Sequence, residues 1–225
     1  MPLKLNSFSG GSVTLDSAST SLDFTHTLPA ETGTIITTSA TTGVNAAALS
    51  TGTVPFARLP AGSIVQTVYA RTDARTFYTS LISGNGTTVT DLNISITPRS
   101  ATNRLIVQWM INAELHQDNV ILIHRDGALI TTAGEEGRNS ISNNRWVGYA
   151  SAFYDQNEDS TPSNWLIQYS QIAGSTAART YAPAVRSSSG TQYTLALNRT
   201  IGSAGGGQDS YENMVSTAVI YEVLV

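Results

Sequence analysis

Apolar and polar residues alternate along most of the chain after Ser63, with a period of two. In LNISIT, Leu92, Ile94 and Ile96 fall on one side and Asn93, Ser95 and Thr97 on the other. TQYTLALN repeats the pattern with Tyr193, Leu195 and Leu197 inward, and VSTAVIYEVLV sets Val215, Thr217, Val219, Tyr221 and Val223 on one side. A period of two is that of a strand, whose successive side chains point to opposite faces. Further runs of this kind are SIVQTVYAR, RTFYTSLI, RLIVQWMINA, NVILIHRDG, RWVGYASAFYD, NWLIQYSQ and ARTYAPAV. Roughly ten strands at hairpin spacing, with no helical repeat between them, predict an all-β, antiparallel sandwich of jelly-roll type over residues 63–225. HRDGAL (His124 to Leu129) reads as a tight hairpin, because Asp-Gly tolerates the positive φ such turns require.

Two strands break the alternation. Leu105, Val107, Trp109 and Ile111 share one face of RLIVQWMINA, yet Ile106 and Met110 occupy the other; in NVILIH, Ile121 and Ile123 back Val120 and Leu122. A strand apolar on both faces needs both covered. The cover is either a long loop of the same chain or another subunit, and the second reading makes Ile106, Met110, Ile121 and Ile123 interface residues.

Before Ser63 the pattern is thinner. Residues 1–62 hold five charged side chains (Lys4, Asp16, Asp23, Glu31, Arg58) and no Tyr or Trp. SVTL (Ser12 to Leu15), LDFTHTL (Leu22 to Leu28) and GTIITTS (Gly33 to Ser39) are strand-like pieces separated by Gly, Ser and Pro, a small β module over residues 1–40. So small a unit, poor in core formers, is not expected to be stable alone. Residues 41–62 read as an extended linker, in which Pro55 and Pro60 remove strand donors while Val54, Phe56 and Leu59 have nothing local to bury them. Other copies of the segment supply that cover if chains lie side by side, three around a three-fold axis. Each anchor buried is worth roughly 1.5–3 kcal/mol.

Only 12% of the residues are charged, against about 25% in an ordinary soluble protein, and 56 of the 225 are Ser or Thr. Hydroxyls and amides therefore present this chain to water. The net charge is −4 and the 12 Lys and Arg form no basic run, which argues against nucleic acid as a partner. Cysteine is absent, removing disulfides and thiol chemistry. No apolar run is long enough to insert in a membrane, and MPLKLNSFSG lacks the apolar stretch of a secretory signal, so cytoplasmic synthesis is expected.

Catalytic chemistry has little to work with. His26, His116 and His124 sit in no G-x-S-x-G or H-E-x-x-H pattern, and no cofactor motif occurs. ELHQD would set Glu114, His116 and Asp118 on one face of a strand, where three copies could hold a metal; solvated loop polarity is the commoner cause, and no metal is expected. Binding is better supported. Glu135, Glu136, Arg138, Asn139, Asn143 and Asn144 lie in one polar loop, and Asp155, Asn157, Glu158 and Asp159 in a second. Gln208, Asp209 and Tyr211 lie in a third, which is Gly-rich. Trp146, Tyr149, Tyr154 and Trp165 adjoin them. Aromatic rings stacked on a pyranose, with amides and carboxylates bonding its hydroxyls, suit a glycan. Trp146 and Trp165 fall inside strand patterns and read first as core.

The phrase TGTVPFARLPAGSIVQ resembles the linker that precedes the globular head in tail-fibre and receptor-binding proteins of tailed bacteriophages. GSVTL with TLPAETGT is similar to an N-terminal module of such proteins, and ISITPRSATNRLIVQ, ILIHRDG and STAVIYEVLV resemble their heads. The resemblance implies a homotrimeric virion protein assembled in the host cytoplasm; from the residues above, no enzymatic activity is expected. Residues 1–40 would attach it to other tail or baseplate proteins, and residues 63–225 would meet a host glycan. A purely structural virion component, such as a capsid fibre or tail connector without a receptor, is the alternative.

Overall fold

The computed structural model describes residues 3–6, 8–10, 12–15, 56–80, 82, 84–131, 140–142, 145–154, 160–202 and 211–225. The expected strands Leu22–Leu28 and Gly33–Ser39, and Val54, lie outside them. The chain divides into two compact units, Met1–Gly52 and Thr53–Val225. In the first, β1 (Leu3–Asn6) pairs antiparallel with β2 (Ser12–Leu15), the SVTL strand, from Leu3↔Leu15 to Asn6↔Ser12.

The larger unit continues with β3 (Ile64–Thr72), β4 (Phe77–Thr79), β5 (Thr87–Thr88), β6 (Ile94–Ile96), β7 (Arg104–Leu115), β8 (Asn119–Arg125) and β9 (Ala128–Leu129). Then come β10 (Ser140–Ser142), β11 (Arg145–Trp146), β12 (Ala150–Ser151), β13 (Ser163–Ile172), β14 (Arg179–Ser187), β15 (Thr194–Leu197) and β16 (Ser216–Val223). Every strand pairing among the described residues is antiparallel. The fold is all-β. Apart from the short β10-β11 pair, the strands form two sheets of six. The front sheet runs β3-β16-β7-β15-β4 with β13 along the other flank of β7; the back sheet runs β12-β8-β14-β5, with β6 on β14 and β9 on β8.

β7 is the spine of the front sheet. β13 follows it from Ile172↔Arg104 to Ser163↔Ala113, while β16 takes the opposite flank as far as Met110 and β15 takes over at Ala113. The inward residues Leu105, Val107, Trp109 and Ile111 meet Ile94, Ile96, Ile121, Ile123 and Tyr181 of the back sheet in one apolar cluster. Trp109 donates its indole N–H to the Leu92 carbonyl at 3.1 Å, so its polar atom is satisfied where it is buried. Pro183 lies within β14, where its missing N–H would ordinarily cost a ladder bond. On that flank the neighbour changes from β6, which pairs Arg179–Tyr181, to β5, which pairs Ala184–Val185, and the proline falls in the gap.

Turn chemistry behaves locally as its residues dictate. Asp126 (φ 54°) and Gly127 (φ 79°) both take the left-handed conformation, closing the two-residue hairpin between β8 and β9.

Several expectations need correction. The linker is not extended at its end: Phe56–Arg58 form a turn of 3-10 helix, and Ser63 N–H donates to the Pro60 carbonyl at 3.2 Å across a turn with Gly62 at φ 89°. Gly62 N–H and Leu224 N–H bond the Leu224 and Ser63 carbonyls at 2.8 and 2.9 Å, which ties this segment to the C-terminal strand. β7 ends at Leu115, and Asp118 turns left-handed (φ 57°), so Glu114, His116 and Asp118 do not share a strand face. Ile121 and Ile123 are 1% and 0% exposed within their own chain and have no surface to offer a second copy. Their neighbours Val120 and Leu122 pack with Leu129 and Ala184 under Trp146, so β8 is covered on both sides by its own chain.

Candidate functional site

β7 and β14 end, and β8, β13, β15 and β16 begin, at one end of the larger unit. Antiparallel pairing therefore gathers residues 116–118, 152–154, 160–162, 188–193, 198–202 and 211–215 there. Two of the connections they belong to carry candidate recognition residues. They share one fixed point, the buried carboxylate of Glu114. One of its oxygens accepts both the N–H and the hydroxyl of Thr161 at 2.9 Å, and the other accepts the N–H of Ile201. A carboxylate is all acceptor and can serve several donors, which is why a single Glu can hold the bases of two loops. At the opposite end Glu222 does the same work, accepting from Arg99 N–H (2.8 Å), Ser100 N–H (3.2 Å) and the Asn103 amide (2.7 Å).

The Gly-rich loop is also clamped at its neck. Arg199 pairs with Asn213, Met214 N–H donates to the Asn198 carbonyl at 2.9 Å, and Tyr211 N–H donates to the Thr200 hydroxyl at 3.1 Å. Asn198, held at φ 55°, donates its amide to the Thr72 and Ala74 carbonyls at 3.1 and 3.0 Å and accepts the Ser216 hydroxyl at 2.6 Å. Tyr211 is left exposed, as are Phe153 and Tyr154 at the start of the other loop. A cleft of about 490 Å³ opens beside Phe153, lined also by Leu115, Ser160, Thr161, Pro162 and Ser163. His116 accepts the Thr194 N–H at its Nδ1 (3.2 Å), and its ring lies 5.6 Å from that of Tyr193.

Trp146 is elsewhere. It lies half-buried on the outer face of the back sheet, with the Arg186 guanidinium 4.8 Å from its ring. Arg186 donates to the carbonyls of Gly84 (3.0 Å) and Ile82 (2.6 Å), and burial lowers its pKa. Trp165 is core. Both tryptophans thus serve packing. His124, also buried, bonds the Thr88 hydroxyl through Nδ1 (2.8 Å) and the Asn85 carbonyl through Nε2 (2.9 Å). A carbonyl only accepts, so Nε2 carries the proton; burial lowers the His124 pKa, opposed by the Asn85 carbonyl.

Of the candidate recognition residues, Trp146 and Tyr211 are described. Glu135, Glu136, Arg138, Asn139, Asn143, Asn144, Asp155, Asn157, Glu158, Asp159, Gln208 and Asp209 lie outside the described residues. Phe153 and the anchoring role of Glu114 were not found by sequence pattern, although Phe153 directly precedes Tyr154 and the polar run from Asp155. Among the described residues no group of three or more His, Asp or Glu could hold a metal ion, and no helix is long and apolar enough to cross a membrane. No family model matches the chain, and no curated protein sequence matches it.

Proposed function

We propose that this chain is a virion structural and adhesion protein, a homotrimeric fibre like those of tailed bacteriophages. Its N-terminal module attaches to tail or baseplate proteins, and its larger unit, a β-sandwich head, presents the Glu114-anchored loops to a glycan on the host surface. Val54, Phe56 and Leu59 take their cover from neighbouring copies. The observation that carries the adhesion reading is the exposure of Phe153, Tyr154 and Tyr211 on two loops whose bases meet at one buried carboxylate. Rings fixed at their stems but open at their faces can stack on sugar rings, and the adjoining Asn, Gln and Asp side chains can bond hydroxyls. One such site binds weakly. Repetition over three copies and many fibres raises the effective strength by about 10²–10⁴ when geometry allows simultaneous contact.

The test is binding of the full chain to host cells and to an array of bacterial surface glycans. Wild type is expected to bind a defined subset, and Tyr154→Ala combined with Tyr211→Ala to weaken that binding by about tenfold while thermal stability is kept. A correctly assembled chain that binds no cell and no glycan contradicts adhesion and leaves a purely structural virion role.

A further inference from the structure

The outer face of the back sheet changes character along its length. Toward the loop end, Val120 and Leu122 of β8 pack with Ala184 of β14 under Trp146. Two residues further along each strand the outward positions are His124 and Ala182, which oppose each other in the register. A cleft of about 320 Å³ opens there, with His124, Ala182, Thr88, Thr90, Asn93 and Asp126 among its lining. It lies at the end of β8 remote from the Glu114-anchored loops, because β8 starts at those loops and finishes at Arg125. The small Ala182 side chain leaves the space, and the His124 ring reaches across β14 to Thr88 on the far flank.

The buried histidine fixes what this cleft offers a ligand. Its Nε2–H is committed to the Asn85 carbonyl (2.9 Å), so Nδ1 holds only a lone pair, and the Thr88 hydroxyl must donate to it (2.8 Å). Thr88 Oγ1 therefore faces the cleft as an acceptor alone. Asp126 supplies another acceptor. One of its carboxylate oxygens takes the Thr180 N–H at 2.8 Å, and the other bonds nothing among the described residues. The left-handed turn at Asp126 (φ 54°) holds this carboxylate at the rim. Asn93 is exposed, and its amide makes no bond among the described residues, so it offers one donor group and one acceptor. No Lys or Arg lines the cleft among the described residues; Arg125, next to Asp126 in sequence, donates to Gln171 at 3.0 Å instead.

We infer that this cleft binds a neutral sugar ring, a single hexopyranose or the terminal ring of a glycan. Fixed acceptors at Thr88 and Asp126 call for a ligand that brings donors, and neighbouring hydroxyls on one ring bring two. The Asn93 amide N–H then serves a hydroxyl or ring oxygen, and the Ala182 methyl meets the C–H side of the ring. A carboxylate without a cation beside it repels acids and phosphates, so the ligand is uncharged. Ligand pockets run from about 300 to 1,000 Å³, and this one stands at the low end, the size of one ring. The site goes beyond the adhesion reading: it is separate from the loop end and needs neither the trimer nor the virion.

The experiment is titration of the full chain with glucose, galactose, mannose and N-acetylglucosamine, and with glucuronate as the charged counterpart, followed through the imidazole C–H signals by NMR. The chain has three histidines, so the His124 signals are assigned by their loss in His124→Gln. At least one neutral sugar is expected to shift them saturably, with a Kd of about 1–10 mM, and glucuronate to leave them in place. Asp126→Asn keeps an acceptor for the Thr180 N–H and suits the left-handed turn, and Asn93→Ala breaks no bond among the described residues, so both should melt as wild type does. Each should weaken binding about fivefold or more, while Tyr154→Ala with Tyr211→Ala should not change it. His124 signals unmoved by every sugar at about 100 mM overturn the inference, as does equal binding of glucuronate or full binding by both cleft variants. A sugar that moves His116 alone belongs to the loop end; it overturns this site and supports the adhesion reading. Should the variants fail to fold, the wild-type titration decides.

Discussion

The two central strands β7 and β8 carry the same anomaly and resolve it differently. Each is apolar on both faces. β8 is covered inside by the shared core and outside by Trp146, Leu129 and Ala184 of its own chain. Among the described residues β7 is covered on its inner face, while its outward Met110 stands exposed beside Leu166. A break in strand alternation reports that a cover exists, and the path of the succeeding segment decides who supplies it. After β8 the chain folds back at Gly148, where the backbone lies so close that an added Cβ would be 2.7 Å from both the Ile121 carbonyl oxygen and the Val120 Cβ. Among the described residues nothing comparable returns over β7.

That contrast can be broken first at the ring that covers β8. Trp146→Ala should cost about 3 kcal/mol in chemical denaturation, since it uncovers Val120 and Leu122 and removes the surface on which Arg186 rests. Leu166→Ala, its counterpart on the bare face, should change monomer stability by less than about 0.5 kcal/mol. Equal losses would mean that the two faces are not differently covered. Next in size is Glu114→Gln. The amide must turn a donor toward either Ile201 or Thr161, and about 2 kcal/mol should be lost, with faster amide exchange at both loop bases. Gly148→Ala comes after it, at about 1–2 kcal/mol, because the backbone carbonyl it meets must shift.

The smallest expected effect is a pH dependence at His124. Burial holds its folded pKa below the ordinary 6.5, so the folded state keeps the neutral ring while the unfolded chain takes up a proton. Its contribution is complete above pH 6.5 and is lost as pH falls from there toward the lowered folded value. Denaturation midpoints of wild type should decline over that range more steeply than those of His124→Gln. Parallel curves would rule out a role for the histidine in acid stability.

Much of the strand pattern was legible in advance. Leu92, Ile94, Ile96, Leu195 and Leu197 face inward as their alternation implies, and Asp126-Gly127 makes its hairpin, because side-chain period and turn conformation are local properties. The closing strand was legible in parity but not in direction. Thr217, Val219 and Tyr221 share a face, and it is the outer one, while Ala218, Ile220 and Glu222 are buried. A strand with apolar residues in both sets carries no local signal of which way is in. Glu114 escaped for a related reason: it reads first as solvated loop polarity, because the donors that hold its buried carboxylate come from Thr161 and Ile201, far along the chain. Sequence pattern set Tyr211 beside a polar loop but did not single out Phe153, whose ring is also exposed, since exposure of a ring depends on what the rest of the fold leaves uncovered.

Sedimentation equilibrium of the unmodified chain at micromolar concentration tests the central claim most directly. The proposed fibre is a homotrimer, so the mass should be three times 23.8 kDa. A single species of 23.8 kDa at every concentration would contradict it.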